Sequence, residues 1–200
     1  NKSVDLMRGP TGSKVLLTIA RRGVADPFDV TIVRDIIKVP SVRSRELMEG
    51  YLWLRASQFQ RDTGLEAIAT LAKAQAEGPL KGVVIDLRNN PGGVLGASVD
   101  MAGAVLDGGL VVYTEGRHPQ AADQYEAAAG DMLNGAPIVV LINGGSASAS
   151  EIVAGALQDR RRAVIMGTRS FGKGSVQTIL PVNDTRAVKL TTALYYTPNG

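Results

Sequence analysis

Ser148 and Lys173 are of the residue types that make a hydroxyl nucleophile and its base. Ser148 stands in Gly-Gly-Ser-Ala-Ser-Ala-Ser-Glu (144–151), after the apolar run Pro137 to Ile142 and before a helix-like stretch, Glu151 to Gln158. A strand-to-helix junction collects free backbone N–H groups, which can hold an oxyanion. Lys173 stands in Ser-Phe-Gly-Lys-Gly-Ser-Val-Gln (170–177), between glycines that let the backbone approach closely and bury its stem. A serine nucleophile needs a base. The one histidine, His118, falls in a polar stretch, so a Ser-His-Asp triad is poorly supplied, whereas a Ser-Lys pair is an attested variant.

Local chemistry does not choose among Ser146, Ser148 and Ser150, because each could cap the helix that follows. The stretch comes near Gly-x-Ser-x-Gly, but Ser148 stands where the second glycine belongs, so that motif fails. A lysine in water has a pKa of about 10.4, which must fall by about three for the amine to accept a proton near neutrality. Phe171, the flanking glycines and the lack of a carboxylate between Gly167 and Leu180 suit such a shift. The plainer reading is a surface lysine in a turn. Gly167 to Lys173 also fits Gly-x4-Gly-Lys, the phosphate loop, but Gly174 occupies the required Ser/Thr position and a strand-like segment follows. Asp86, Arg88 and Asn89 read as bracing for a strand-to-helix turn at Asn89-Asn-Pro-Gly-Gly93, whose glycines allow N–H groups to point into a cavity. Asp100, Glu151 and Asp159 each have a helix-surface explanation, and no His/Asp/Glu cluster has metal-ligand spacing, so neither metal nor cofactor is assigned.

The elements that must position these residues alternate. Helical spacing covers Lys2 to Met7, Thr63 to Gln75, Val94 to Leu106 and Ser150 to Gln158. Strands are expected at Lys14 to Arg21, Phe28 to Arg34, within 36–60 (Gly50 to Arg55 the clearest), and at Gly82 to Leu87, Leu110 to Tyr113, Ile138 to Ile142, Ala163 to Met166, Ser175 to Leu180 and Ala187 to Tyr195. His118 to Leu133, polar and alanine-rich, reads as part loop and part helix. The class is α/β with crossover connections.

The chain has 200 residues, 44% apolar and 20% charged, enough for a sizeable core. Its net charge of +3 is too small to argue for nucleic acid, and Arg160-Arg161-Arg162 reads as a solvated turn. With no cysteine, disulfides, thiolate metal sites and a Cys nucleophile are excluded. No apolar run reaches membrane-spanning length and no signal peptide is visible. Both ends read as interruptions of a longer protein.

Taken in order, Arg8 to Val15, Tyr51 to Leu54, Asp86 to Gly93, Asn143 to Glu151, Gly167 to Gln177 and Tyr196 to Gly200 resemble the C-terminal processing (tail-specific) serine proteases. The resemblance implies a crotonase/Clp-peptidase-like ββα core over 35–200, with 1–34 the C-terminal piece of a PDZ domain, a strand-adding peptide binder. It resolves the serines in favour of Ser148 as nucleophile. It implies Lys173 as base, Gln177 as the residue orienting it, and the backbone N–H groups of Gly93 and Ala149 as the oxyanion hole. The expected function is a serine endopeptidase of the periplasm or cell envelope, acting on proteins with unstructured C-termini, with a homo-oligomer or adaptor left open. The alternative is an inactive relative that binds peptides or assembles a complex.

Overall fold

In the computed structural model, residues 2–36 and 39–200 are described. The chain divides into two units, Asn1–Pro40 and Ser41–Gly200. The first holds α1 (Lys2–Met7) and an antiparallel pair, β1 (Lys14–Ile19) and β2 (Phe28–Val33), in register from Lys14 opposite Val33 to Ile19 opposite Phe28. The Arg34 side chain closes this unit by donating to the carbonyls of Met7 at 2.8 Å and Lys14 at 3.0 Å.

The second unit carries the candidate site. Its main sheet has the order β3-β4-β5-β8-β9, from β3 (Val42–Met48), β4 (Tyr51–Ala56), β5 (Gly82–Asp86), β8 (Ile138–Ile142) and β9 (Ala163–Gly167). Only β3 and β4 run antiparallel; β4, β5, β8 and β9 are parallel neighbours. Parallel strands need crossovers. They are supplied by α2 (Thr63–Glu77) between β4 and β5, α3 (Leu95–Gly103) after β5, and α4 (Ala149–Asp159) between β8 and β9. Alternate residues of the strands, such as Leu52, Leu54, Ile85 and Val140, are buried in one core with Leu71, Met101, Ile152 and Leu157 of the helices. The loops leaving the C-terminal ends of β5 and β8 lie side by side, the usual place for a site in a parallel sheet.

A second, antiparallel sheet has the order β10-β11-β6-β7, from β6 (Gly109–Gly116), β7 (Asp123–Ala127), β10 (Ser175–Asn183) and β11 (Arg186–Tyr196). A bulge between Val176 and Gln177 interrupts the pairing of β10 with β11. Here the expectation from sequence needs correction. The 118–133 stretch contains no α-helix; it holds one 3-10 turn (Pro119–Ala121) and the strand β7. Alanine favours helix only weakly, and pairing with β6 while Tyr125 packs on the core overrides that preference. The third helix ends at Gly103, three residues short of Leu106, where tighter turns take over. Residues 37 and 38, in the expected strand region 36–60, lie outside the described residues.

Candidate active site

Ser148 is the N-cap of α4, with φ +56° and ψ −117°. A non-glycine residue in that region stores backbone strain of about 1–3 kcal/mol and persists only where its surroundings over-determine it. Four neighbours do so. Ala147 N–H donates to the Asn90 carbonyl at 3.0 Å, and Ser146 N–H to the Asn143 carbonyl at 2.8 Å. The Ser150 hydroxyl donates to the Asn90 carbonyl at 2.9 Å. Ser148 N–H donates to Glu151 Oε2 at 2.7 Å. Ser148 and Glu151 have the spacing of a capping box, of which the Glu151 half reaches full hydrogen-bond geometry. The turn therefore has the sharp, strained strand-to-helix shape of a nucleophile elbow without its glycine pattern.

The same bonds separate the three serines. Ser146 is buried; its hydroxyl donates to the Leu87 carbonyl at 2.8 Å and accepts from Asn143 N–H at 3.0 Å. Ser150 is also buried and committed to Asn90. Both hold the turn against the loop after β5, and neither hydroxyl is free to meet a substrate.

That loop is shaped by its own glycines. Gly92 has φ +93°, and a side chain there would meet the Ala147 carbonyl at 2.6 Å and Ser148 Cβ at 2.7 Å. Gly93 has φ +146° and pairs with Phe59, whose carbonyl a side chain would strike. Neither Gly93 N–H nor Ala149 N–H donates to an acceptor among the described residues. Asn90 locks the loop from inside, its amide donating to the Ala56 carbonyl and accepting from Gly92 N–H, both at 2.9 Å. Beneath it, Asp86 is fully buried and accepts from Arg88 through the backbone N–H (3.0 Å), Nε (2.9 Å) and Nη2 (2.6 Å), with Arg55 Nη1 at 3.4 Å. Burial alone would raise the Asp86 pKa, but the hydrogen bonds and charge of Arg88, with the charge of Arg55, outweigh it and hold the carboxyl below its ordinary value. The bracing role expected for Asp86 and Arg88 has this geometry.

Lys173 lies in an irregular loop between β9 and β10 and is half-buried. Glu151 joins this loop to the serine turn. Its Oε1 accepts from the Ser170 hydroxyl at 2.7 Å and Gly172 N–H at 2.6 Å; its Oε2 accepts from Lys173 N–H at 2.9 Å as well as from Ser148 N–H. One carboxylate oxygen is thus shared by the backbones of Ser148 and Lys173. Phe171 N–H adds a bond to the Ser146 carbonyl at 2.9 Å. Two expectations fail here. Glu151 is no helix-surface carboxylate, and it brings to the lysine loop the negative charge that the 167–180 stretch lacks. Phe171 is 69% exposed, so it does not supply apolar shelter. The Ser-x-x-Glu spacing is the signal that points to Glu151. Gln177, at the bulge of β10, is exposed, and neither its amide nor the Lys173 ammonium has a hydrogen bond or ion pair among the described residues. Tyr195 of β11 also enters the site, its N–H donating to the Gly174 carbonyl at 2.9 Å.

A mixed sheet carrying a strained serine beside free backbone N–H groups, with a lysine loop latched to it, has the layout of a serine hydrolase. Residues 50–200 match the model of Peptidase family S41. The chain belongs to that family. It is 53% identical to a carboxy-terminal-processing protease of Bartonella bacilliformis, over 100% of this chain and 46% of that protein. It is 38% identical to a carboxyl-terminal-processing protease of Synechocystis, over 96% and 45%. Among solved structures, the photosystem II D1 C-terminal processing protease superposes with a TM-score of 0.70 at 31% identity, over 100% of this chain and 55% of that one. The chain spans about half the length of the curated relatives it matches.

Proposed function

We propose that this chain is the proteolytic core of a serine endopeptidase that processes or degrades proteins from their C-terminal regions. One observation carries the reading. Of three neighbouring serines, only Ser148 keeps its hydroxyl out of bonds to backbone carbonyls, on a strained turn beside two uncommitted N–H groups. In this reading the neutral Lys173 amine takes the Ser148 proton as Oγ attacks the peptide carbonyl carbon. The N–H groups of Gly93 and Ala149 hold the resulting oxyanion. Lys173 then protonates the leaving amine, and water, deprotonated by the same amine, hydrolyses the acyl-enzyme ester. Gln177 orients the Lys173 amine without adding charge. Residues 1–34 are the end of a PDZ domain that presents substrate C-termini. The names of the relatives support substrates cut near their C-termini, and the setting proposed is the periplasm or cell envelope. Among the described residues no helix is long and apolar enough to cross a membrane.

The test uses the full-length protein. Ser148→Ala should lower peptidase turnover by about a thousandfold or more and retain substrates that mass spectrometry can identify. Ser146→Ala and Ser150→Ala should keep turnover at 25 °C. Ser146→Ala should lower Tm by several degrees, because it leaves Asn143 N–H without its acceptor at about 1–3 kcal/mol. Ser150→Ala should lower it by less, because the Asn90 carbonyl keeps the Ala147 N–H. Normal turnover in Ser148→Ala would overturn the reading.

A further inference from the structure

The hydroxyl of Tyr195 is buried beyond reach of solvent and has no hydrogen-bond partner among the described residues. A buried hydroxyl without a partner costs free energy, and phenylalanine would fill the same space without that cost. The ring packs against the main core, so the aromatic body has a structural reason to be there. The oxygen does not. Its surroundings supply one. The residue's backbone is tied to Gly174, next to Lys173, and Ser148 and Glu151 are the side chains that act on its phenol.

We propose that Tyr195 is a positioning residue for the nucleophile: its phenol donates to a lone pair of Ser148 Oγ when substrate is bound. The bond is not formed at full geometry in the free chain. Catalytic hydrogen bonds commonly tighten only with substrate present. A serine hydroxyl has one proton and two lone pairs. With the phenol on one lone pair, the serine proton is left for the Lys173 amine. When the acyl-enzyme breaks down, charge returns to Oγ as the ester bond opens, and the same donor stabilises it there. No proton is transferred from Tyr195 at any step. Burial first, and the Glu151 charge second, push the phenol's pKa up to about 12 against a smaller pull from Ser148, so it stays a neutral donor through the working pH range.

This inference rests on Ser148 being the nucleophile, so the test runs both residues in the full-length protein with a chromogenic peptide substrate and a fluorophosphonate probe. Tyr195→Phe should lower kcat about tenfold, the rate equivalent of one neutral hydrogen bond at the upper end of its range. KM should change less than twofold and Tm should hold or rise. Probe labelling of Ser148 should slow in parallel. The midpoint of the pH–rate profile should stay where it is in the parent, since the phenol is not the titrating base. Tyr195→Leu, which loses the ring, should lower Tm as well. Parental kcat and labelling in Tyr195→Phe, with Ser148→Ala inactive, would overturn the role of Tyr195 and leave Ser148 standing. A shifted pH midpoint would make Tyr195 a proton-transfer group and overturn it equally. Activity in Ser148→Ala would sink the underlying reading instead.

Discussion

The Ser148 turn is held by buried groups that face one another across the sheet: Ser146 to Leu87, Ser150 and Ala147 to Asn90, Asn90 to Ala56. The Lys173 loop, by contrast, is joined to that turn by one carboxylate, Glu151, and one carbonyl, Ser146, with Phe171 turned out to solvent. Redundant buried bonds make the first region part of the core. The second borrows its order from Glu151, a residue of the first. The alignment of the two regions therefore depends on one side chain and one backbone bond at the seam, while the strain at Ser148 is supported many times over.

The contrast between the two regions is tested hardest at the lysine itself. Lys173→Arg should be as inactive as Lys173→Ala, a loss of about a thousandfold or more in turnover. Arginine keeps the charge but cannot give up its proton. Substantial turnover in Lys173→Arg would mean the lysine acts as a fixed cation, and the base assignment would fail.

Next comes the seam. Glu151→Gln puts an amide nitrogen where at least one pair of donors needs an acceptor. If the carboxylate aligns the two regions, kcat should fall about a hundredfold, the cost of roughly an ångström of misplacement, and labelling of Ser148 should slow. Ser170→Ala, which removes one of the four donors, should do far less. Equal effects from the two variants would show that Glu151 is one contact among many.

The mildest intervention acts below the serine side. Asp86 has a folded-state pKa lower than its unfolded value, so the unfolded chain takes up the proton first as pH falls. Its contribution is present above about pH 3.9 and is lost as pH drops through the folded-state pKa. Asp86→Asn should lower Tm near neutrality, because it removes the carboxylate that accepts from Arg88 and Arg55, while both arginines keep partial access to solvent. The Tm gap between parent and variant, followed from pH 7 to pH 2, should narrow below pH 4. A gap that stays constant would remove Asp86 from the acid response.

Much of the scaffold is legible in the order of residue types alone. Gly82 to Asp86 and Ile138 to Ile142 are apolar runs bounded by turn residues, and the parallel strands fall there. The 118–133 stretch resists such reading, because β7 exists through pairing with β6 rather than through its own composition. At the site, residue types point to a serine and a lysine but leave three serines tied. What separates them is contact with residues about sixty positions away, which periodicity does not encode. The bonds of Glu151 to the lysine loop are hidden for the same reason, although its spacing from Ser148 is visible. On its own helix it looks like a first-turn acid; its partners at 170, 172 and 173 come from another loop. Tyr195 reads as an ordinary strand aromatic until its buried oxygen is seen.

Asn90 has a consequence for how the molecule loses activity. Through its amide and its carbonyl it bonds Ala56, Gly92, Ala147 and Ser150, four positions in three chain segments. Amides around such a cross-link should exchange with deuterium through opening of the sheet rather than by local fraying. The Ala147 N–H should therefore rank with the slowest exchangers, and Lys173 N–H with the faster ones. On heating, exchange would reach the lysine loop first, and a partly warmed sample would hold an intact Ser148 turn facing a Lys173 loop that has already come loose.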